Sequence, residues 1–180
     1  PYFRRMETSW RGTGPHHGGD GPLAVTQVPG RHLLTDSIRR SVLASGFAES
    51  DDLSGERQEG FSPCEVTVDA RGRRAGAAPA YLRPARKRPN LTVLSHAHVT
   101  RLTIEDGRAA GVEYLRRGQQ GAVRAHKEVI LSAGAYNSPQ LLMLSGIGPA
   151  EHLTKHSIPV RVDAPGVGRD LAEHPLVYMS

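Results

Sequence analysis

Nine histidines in 180 residues are the first place to look for chemistry. Imidazole serves as general base, proton shuttle and metal ligand. His16 and His17 are adjacent in a loop rich in Gly and His, and His96 and His98 lie at strand spacing. Neither pair has a third ligand at a spacing that builds a zinc site. They are read as solvent-facing or hydrogen-bonded, and no metal is expected. Cys64 stands alone between Pro63 and Glu65. It has no disulfide partner and no basic neighbour in sequence to activate it, so a buried structural thiol is expected. A serine nucleophile elbow fails, because Met143 stands two residues before Ser145 where glycine belongs. The dinucleotide fingerprint G-x-G-x-x-G is also absent. Gly12-x-Gly14 follows no strand-like run, Gly146-x-Gly148 meets Glu151, and Gly166-x-Gly168 meets Leu171. No Walker phosphate loop is present. Residue chemistry alone names no active site.

Charge opens a second possibility. Lys plus Arg number 23 against 18 Asp plus Glu, a formal net charge of +5. The densest bases are Arg71, Arg73 and Arg74, then Arg83, Arg86, Lys87 and Arg88, with Tyr81 the one aromatic neighbour. That gives no stacking platform for bases. A solvated surface is expected and nucleic acid is not, although a stand-alone basic binding module without catalysis stays open at this point. No apolar run approaches the roughly 18–20 residues that span a bilayer, and the lone cysteine asks for no oxidising compartment.

Elements must position whatever site exists. Apolar residues make up 38%, enough for one modest core or parts of two. Gly (20) and Pro (13) are abundant, so turns should be plentiful. Residues 23–25 read as a short strand. Leu33, Leu34, Ile38, Val42 and Leu43 recur at helical spacing, with Gly46 as a stop. Residues 61–68 read as a strand, and residues 75–82 as a helix that Pro79 caps or kinks. Residues 91–94 read as another strand. Three extended runs follow, starting near Val99, Ala109 and Ala122, with turns at Asp106-Gly107 and over residues 118–121. They predict a three-stranded antiparallel meander. Residues 128–132 read as a buried strand. After them come small residues, then Ser138 as helix cap and Pro139 at the first helical position, with a glycine stop at Gly146. A short helix from near Pro149 to near His156 and an extended run at 158–162 complete the chain. The expected class is mixed α/β, with a strand–turn–helix unit that could hold a phosphate at its turn.

The stretch EVILSAGAYNSPQLLMLSGIGP at residues 128–149 resembles the second signature of the glucose–methanol–choline (GMC) flavoprotein oxidoreductases. The resemblance extends across nearly the whole chain. Residues 21–25 resemble an early substrate-domain strand of the family, and residues 52–60 its Asp-x-Asn-Gly-x-x-Gln-x-Gly segment. Residues 73–85 resemble its Arg-x-Ser-Ala-Ala-x-Ala-Tyr-Leu-x-Pro-Ala stretch, residues 88–93 and 97–102 the next strands, and residues 165–175 its Pro-Gly-Val-Gly-x-Asn-Leu-x-Asp-His-Pro. Ser54 and Gly76 replace the family's Asn and Ser, and Asp170 and Glu173 its Asn and Asp. The nearest branch is choline-dehydrogenase-like.

The resemblance implies FAD-dependent oxidation of the CH–OH group of a small alcohol, with hydride passing to flavin N5 and the electron acceptor open. It implies part of a substrate-binding domain over residues 1–85, part of a Rossmann-like FAD-binding domain with a β-meander over 86–175, and a return to the substrate domain at 176–180. Val99 matches a position whose backbone meets the adenine ring. Ser132, Gly134 and Ala135 lie at the strand end facing the dinucleotide. Gln58, Gly60 and Tyr81 fall in segments bordering the substrate cavity. His174 falls near the flavin but is not taken as catalytic. Neither the catalytic histidine base nor the glycine-rich FAD loop of the family matches any position here. With Pro1 in place of an initiating Met, the chain is expected to be an internal piece of a longer, cytoplasmic enzyme, inactive alone; membrane association of the intact enzyme is left open.

Overall fold

The computed structural model describes residues 1–27 and 33–173. The chain forms two compact units, Pro1–Val93 and Leu94–Ser180, and each is described by itself. His174 and the expected return at 176–180 lie outside the described residues.

In the first unit, helix α1 (Tyr2–Met6) runs into strand β1 (Glu7–Ser9), and β2 (Leu23–Gln27) pairs with β1 in parallel. Helix α2 (Leu33–Ala44) follows the predicted apolar spacing and stops at Gly46, whose φ is +87° and whose N–H reaches the Leu43 carbonyl. The expected strand over 61–68 shrinks to β3 (Glu65–Val66), antiparallel to β2. Pro63 has no N–H to give a ladder, and Phe61 instead bridges Glu49. Cys64, expected to be buried, is exposed in this broken stretch. Residues 78–82 form a π-type turn with Pro79 at its start, running into helix α3 (Arg83–Ala85).

The expected strand at 91–94 does not form; these residues are irregular and exposed. An extended run becomes a strand only when a partner takes its backbone hydrogen bonds, and none does so here among the described residues.

The second unit is built on the predicted meander. Strands β4 (Ala97–Glu105), β5 (Arg108–Arg116) and β6 (Gln119–Arg124) pair antiparallel in sequence order. Asp106 and Gly107 both have positive φ, as do Arg117 and Gly118. Such two-residue turns match the right-handed twist of the strands they join. The second turn therefore falls at 117–118, slightly before its predicted place. Irregularities in register fall between Val99 and Arg101 and between Thr103 and Ile104.

Residues 128–132 join no ladder among the described residues, and Ile130 is 76% exposed. Val129 and Leu131 instead turn into an apolar cavity of about 480 Å3 with Leu102, Ile104, Leu142 and Ile147. Helix α4 (Gly134–Leu144) starts a full turn earlier than predicted, with Ala133 as its capping residue. Ser138 is inside the helix, and its Oγ accepts a hydrogen bond from the Ala133 N–H at 3.1 Å. The serine thus holds the helix entrance from within. Pro139 has no N–H to offer the carbonyl of Ala135, four residues back. Strand β7 (Ile147–Gly148), helix α5 (Ala150–Lys155) and strand β8 (Val162–Asp163) make a small parallel crossover. Leu153 on α5 is fully buried, a burial that stabilises by about 1.5–3 kcal/mol.

Candidate functional site

The strongest tie between α4 and the meander is one hydroxyl. Ser145, 3% exposed, accepts the Leu102 N–H at 2.9 Å and donates to the Leu141 carbonyl at 2.6 Å. β4 is an edge strand, so its outer backbone groups need partners from elsewhere. At Leu102 the serine supplies one. The link fixes the helix that begins at Gly134 to the strand that carries Val99. Its signal in the sequence is a serine amid apolar helix residues just before a glycine stop.

Val99 is half-buried in β4, beside a register irregularity. Ser132, Gly134 and Ala135 are exposed at the start of α4. Gly134 has a φ of +92°, and a Cβ built there would meet nothing within 4 Å. The glycine is thus required by backbone conformation, and it leaves open backbone at the helix entrance. Open backbone at a helix entrance is the kind of surface that a phosphate-bearing ligand can approach closely.

In the first unit, Gln58 lines a cleft of about 520 Å3 with Phe3, Glu7, His17, Leu53 and Ser54. Gly60 is close by in sequence, with a φ of +136°, and a Cβ there would lie 2.7 Å from the Ala48 carbonyl oxygen. Chain packing alone therefore demands glycine at this position. Tyr81 is 44% exposed in the π-type turn and does not line the Gln58 cleft.

The cleft holds a charged cluster that spacing did not reveal. His17 is buried, with Nδ1 3.1 Å from Glu7 Oε1 and Nε2 2.7 Å from Asp52 Oδ2. A neutral imidazole has one N–H, while two carboxylates here ask for two, so the ring is imidazolium. The Asp52 hydrogen bond raises its pKa above 6.5 most strongly, against burial, with the Asp52 charge and Glu7 adding to the rise. Burial pushes Asp52 upward, yet the His17 hydrogen bond, the Ser54 N–H and the charges of His17 and Arg11 bring it below 3.8. Glu7 also accepts the Gly18 N–H, and Asp52 the Ser54 N–H, both at 2.9 Å. One ring therefore pins β1, the Gly/His loop and the 52–60 segment together. Nearby, Glu65 accepts bonds from both Trp10 Nε1 and Arg11 Nε at 2.8 Å. No group of three or more metal-ligating side chains is found among the described residues.

The GMC oxidoreductase family profile matches residues 1–176. The chain belongs to the GMC oxidoreductase family. It is 43% identical over 180 residues to an oxygen-dependent choline dehydrogenase of Burkholderia vietnamiensis, covering 99% of this chain and 32% of that protein. It superposes on pyridoxine 4-oxidase from Mesorbium loti with a TM-score of 0.85 and 32% identity, covering 92% of this chain and 32% of that one. An FAD-dependent oxidoreductase from Chaetomium thermophilum gives a TM-score of 0.86 at 27% identity, over 92% of this chain and 31% of that one. The chain thus spans about a third of the length of the proteins it matches. No helix among the described residues is long and apolar enough to cross a membrane.

Proposed function

We propose that the polypeptide carrying this chain binds FAD and oxidises the CH–OH group of a small alcohol of the choline class. The observation that carries the reading is the open bend at Gly134 in a chain that matches the family over residues 1–176. When bound, FAD supplies the acceptor for the hydride leaving the alcohol carbon. The second unit's share is binding. The backbone at Val99 offers an N–H and a carbonyl to an adenine edge. Ser132, Gly134 and Ala135 give the dinucleotide a close backbone approach at the start of α4.

The first unit's share is substrate. Gln58 lines the cleft assigned to the alcohol, on the loop that Asp52 anchors to His17, and Gly60 and Tyr81 are assigned to segments bordering the substrate beyond that cleft. No residue described here is assigned as the base that takes the hydroxyl proton. We assign residues 1–85 to the substrate domain, residues 86–175 to the FAD domain, residues 176–180 to a return to the substrate domain, and the enzyme to the cytoplasm.

The test is purification of the full-length polypeptide, followed by anaerobic addition of choline and other small alcohols. Bound flavin that bleaches on addition of one of these alcohols supports the reading. A purified, folded protein that retains no flavin overturns it.

A further inference from the structure

Helix α5 brings together two imidazoles outside the residues proposed for FAD and substrate. His152 and His156 are four residues apart, a spacing that sets side chains on one face of a helix. Their ring centroids lie 4.7 Å apart with 62° between the planes, and both residues are exposed. Neither ring is tied to a carboxylate or hydrogen-bonded among the described residues, so both keep nitrogen lone pairs to offer.

The backbone that carries them is fixed. Leu153, between them in sequence, is fully buried. The Ala150 N–H is held by Asp163 Oδ1 at 3.0 Å, and Thr154 Oγ1 donates to the Ala150 carbonyl at 2.8 Å. His156 caps the helix, its N–H bonded to the Leu153 carbonyl. His156 therefore sits at the C-terminal end of α5, where the helix dipole favours a cation. Lys155 is the nearest opposing charge in sequence, and Glu151 the nearest favourable one.

We propose that His152 and His156 form a two-imidazole site for a divalent transition-metal ion, copper(II) before zinc or nickel. A pair of histidines at this helical spacing can grip one ion from one face. Imidazole suits copper, nickel and zinc, and copper(II) heads the affinity order for nitrogen ligands. No third His, Cys, Asp or Glu joins the pair among the described residues. The ion keeps water in its remaining positions, which makes the site open and exchangeable, unlike a closed structural zinc centre. Bound metal would tie one turn of α5 and stabilise the native state by mass action.

The experiment titrates the full-length polypeptide with copper(II) chloride, followed by calorimetry and electron paramagnetic resonance. One equivalent bound through two nitrogens is expected. His152→Gln and His156→Gln should each weaken that equivalent by about tenfold or more, because one ring alone loses the chelate's effective concentration. The paired control H96Q/H98Q should leave it unchanged. Circular dichroism without metal checks that each variant folds, and either single variant suffices for the comparison. Wild-type affinity in a folded His152 or His156 variant overturns the proposal, as does loss of the equivalent in the control.

Discussion

Replacing His17 with Gln keeps a polar side chain of similar length but removes the imidazolium. Two charge-assisted hydrogen bonds, to Glu7 and Asp52, are lost. Such bonds contribute about 1.5–3 kcal/mol each when buried. Glu7 and Asp52 are 16% and 25% exposed and regain some water, so each bond contributes about 1–1.5 kcal/mol, about 2–3 kcal/mol in all. That corresponds to a roughly 30- to 150-fold larger local opening equilibrium. The assay is amide hydrogen exchange at Gly18 and Ser54, whose N–H groups bond Glu7 and Asp52, expressed as protection relative to the free peptide. The pH dependence has a definite sign. The His17 pKa is raised above 6.5, so its contribution is fully present below pH 6.5 and is lost as pH rises through the folded value. The Asp52 pKa is lowered below 3.8, so its contribution is present above that pH and is lost as pH falls through the folded value. Protection at both amides should therefore be greatest between these limits and decline on the alkaline side in wild type. In His17→Gln the alkaline decline should vanish. An equally steep alkaline decline in the variant refutes the imidazolium pin.

Ser145→Ala should cost about 1–3 kcal/mol by orphaning the buried Leu102 N–H, measured by chemical denaturation, while Ser145→Thr should recover part of it. Leu153→Ala should cost about 2–5 kcal/mol and be seen in the same measurement. Gly134→Ala should lower FAD retention by about tenfold or more through strain at its φ of +92° and the added methyl. Gly107→Ala strains a comparable φ of +75° and should leave flavin content unchanged, which separates the bend from general instability. The 180-residue chain supplied with FAD should turn over no alcohol, because it contains no match to the family's base; turnover in a stopped-flow or oxygen-consumption assay would contradict this.

Local signals carried far where the chain makes its own partners. The meander was legible because its hairpins are adjacent in sequence and its turns carry Asp106-Gly107 and Arg117-Gly118. Helix α2 and its stop at Gly46 were legible from apolar spacing. The runs at 91–94 and 128–132 were misread because apolar content marks a buried strand only where a neighbour completes the ladder. Ser138 was misread because a serine before a proline fits a cap equally well whether it lies at the helix start or one turn inside. The His17 cluster was out of reach in sequence, since its carboxylates lie 10 and 35 residues away. His152 and His156 carry a readable signal, a four-residue spacing, that the adjacent and strand-spaced pairs do not share.

The open backbone of Val129-Ile130-Leu131 has a consequence for handling this polypeptide. Apolar and without a ladder partner among the described residues, it is a ready template for adding identical strands from other copies. Lys127 and Glu128 stand directly before it and act as gatekeepers, because stacking copies in register would bring like charges together. Neutralising both should first be felt as concentration-dependent precipitation at low salt, well before any loss of native structure.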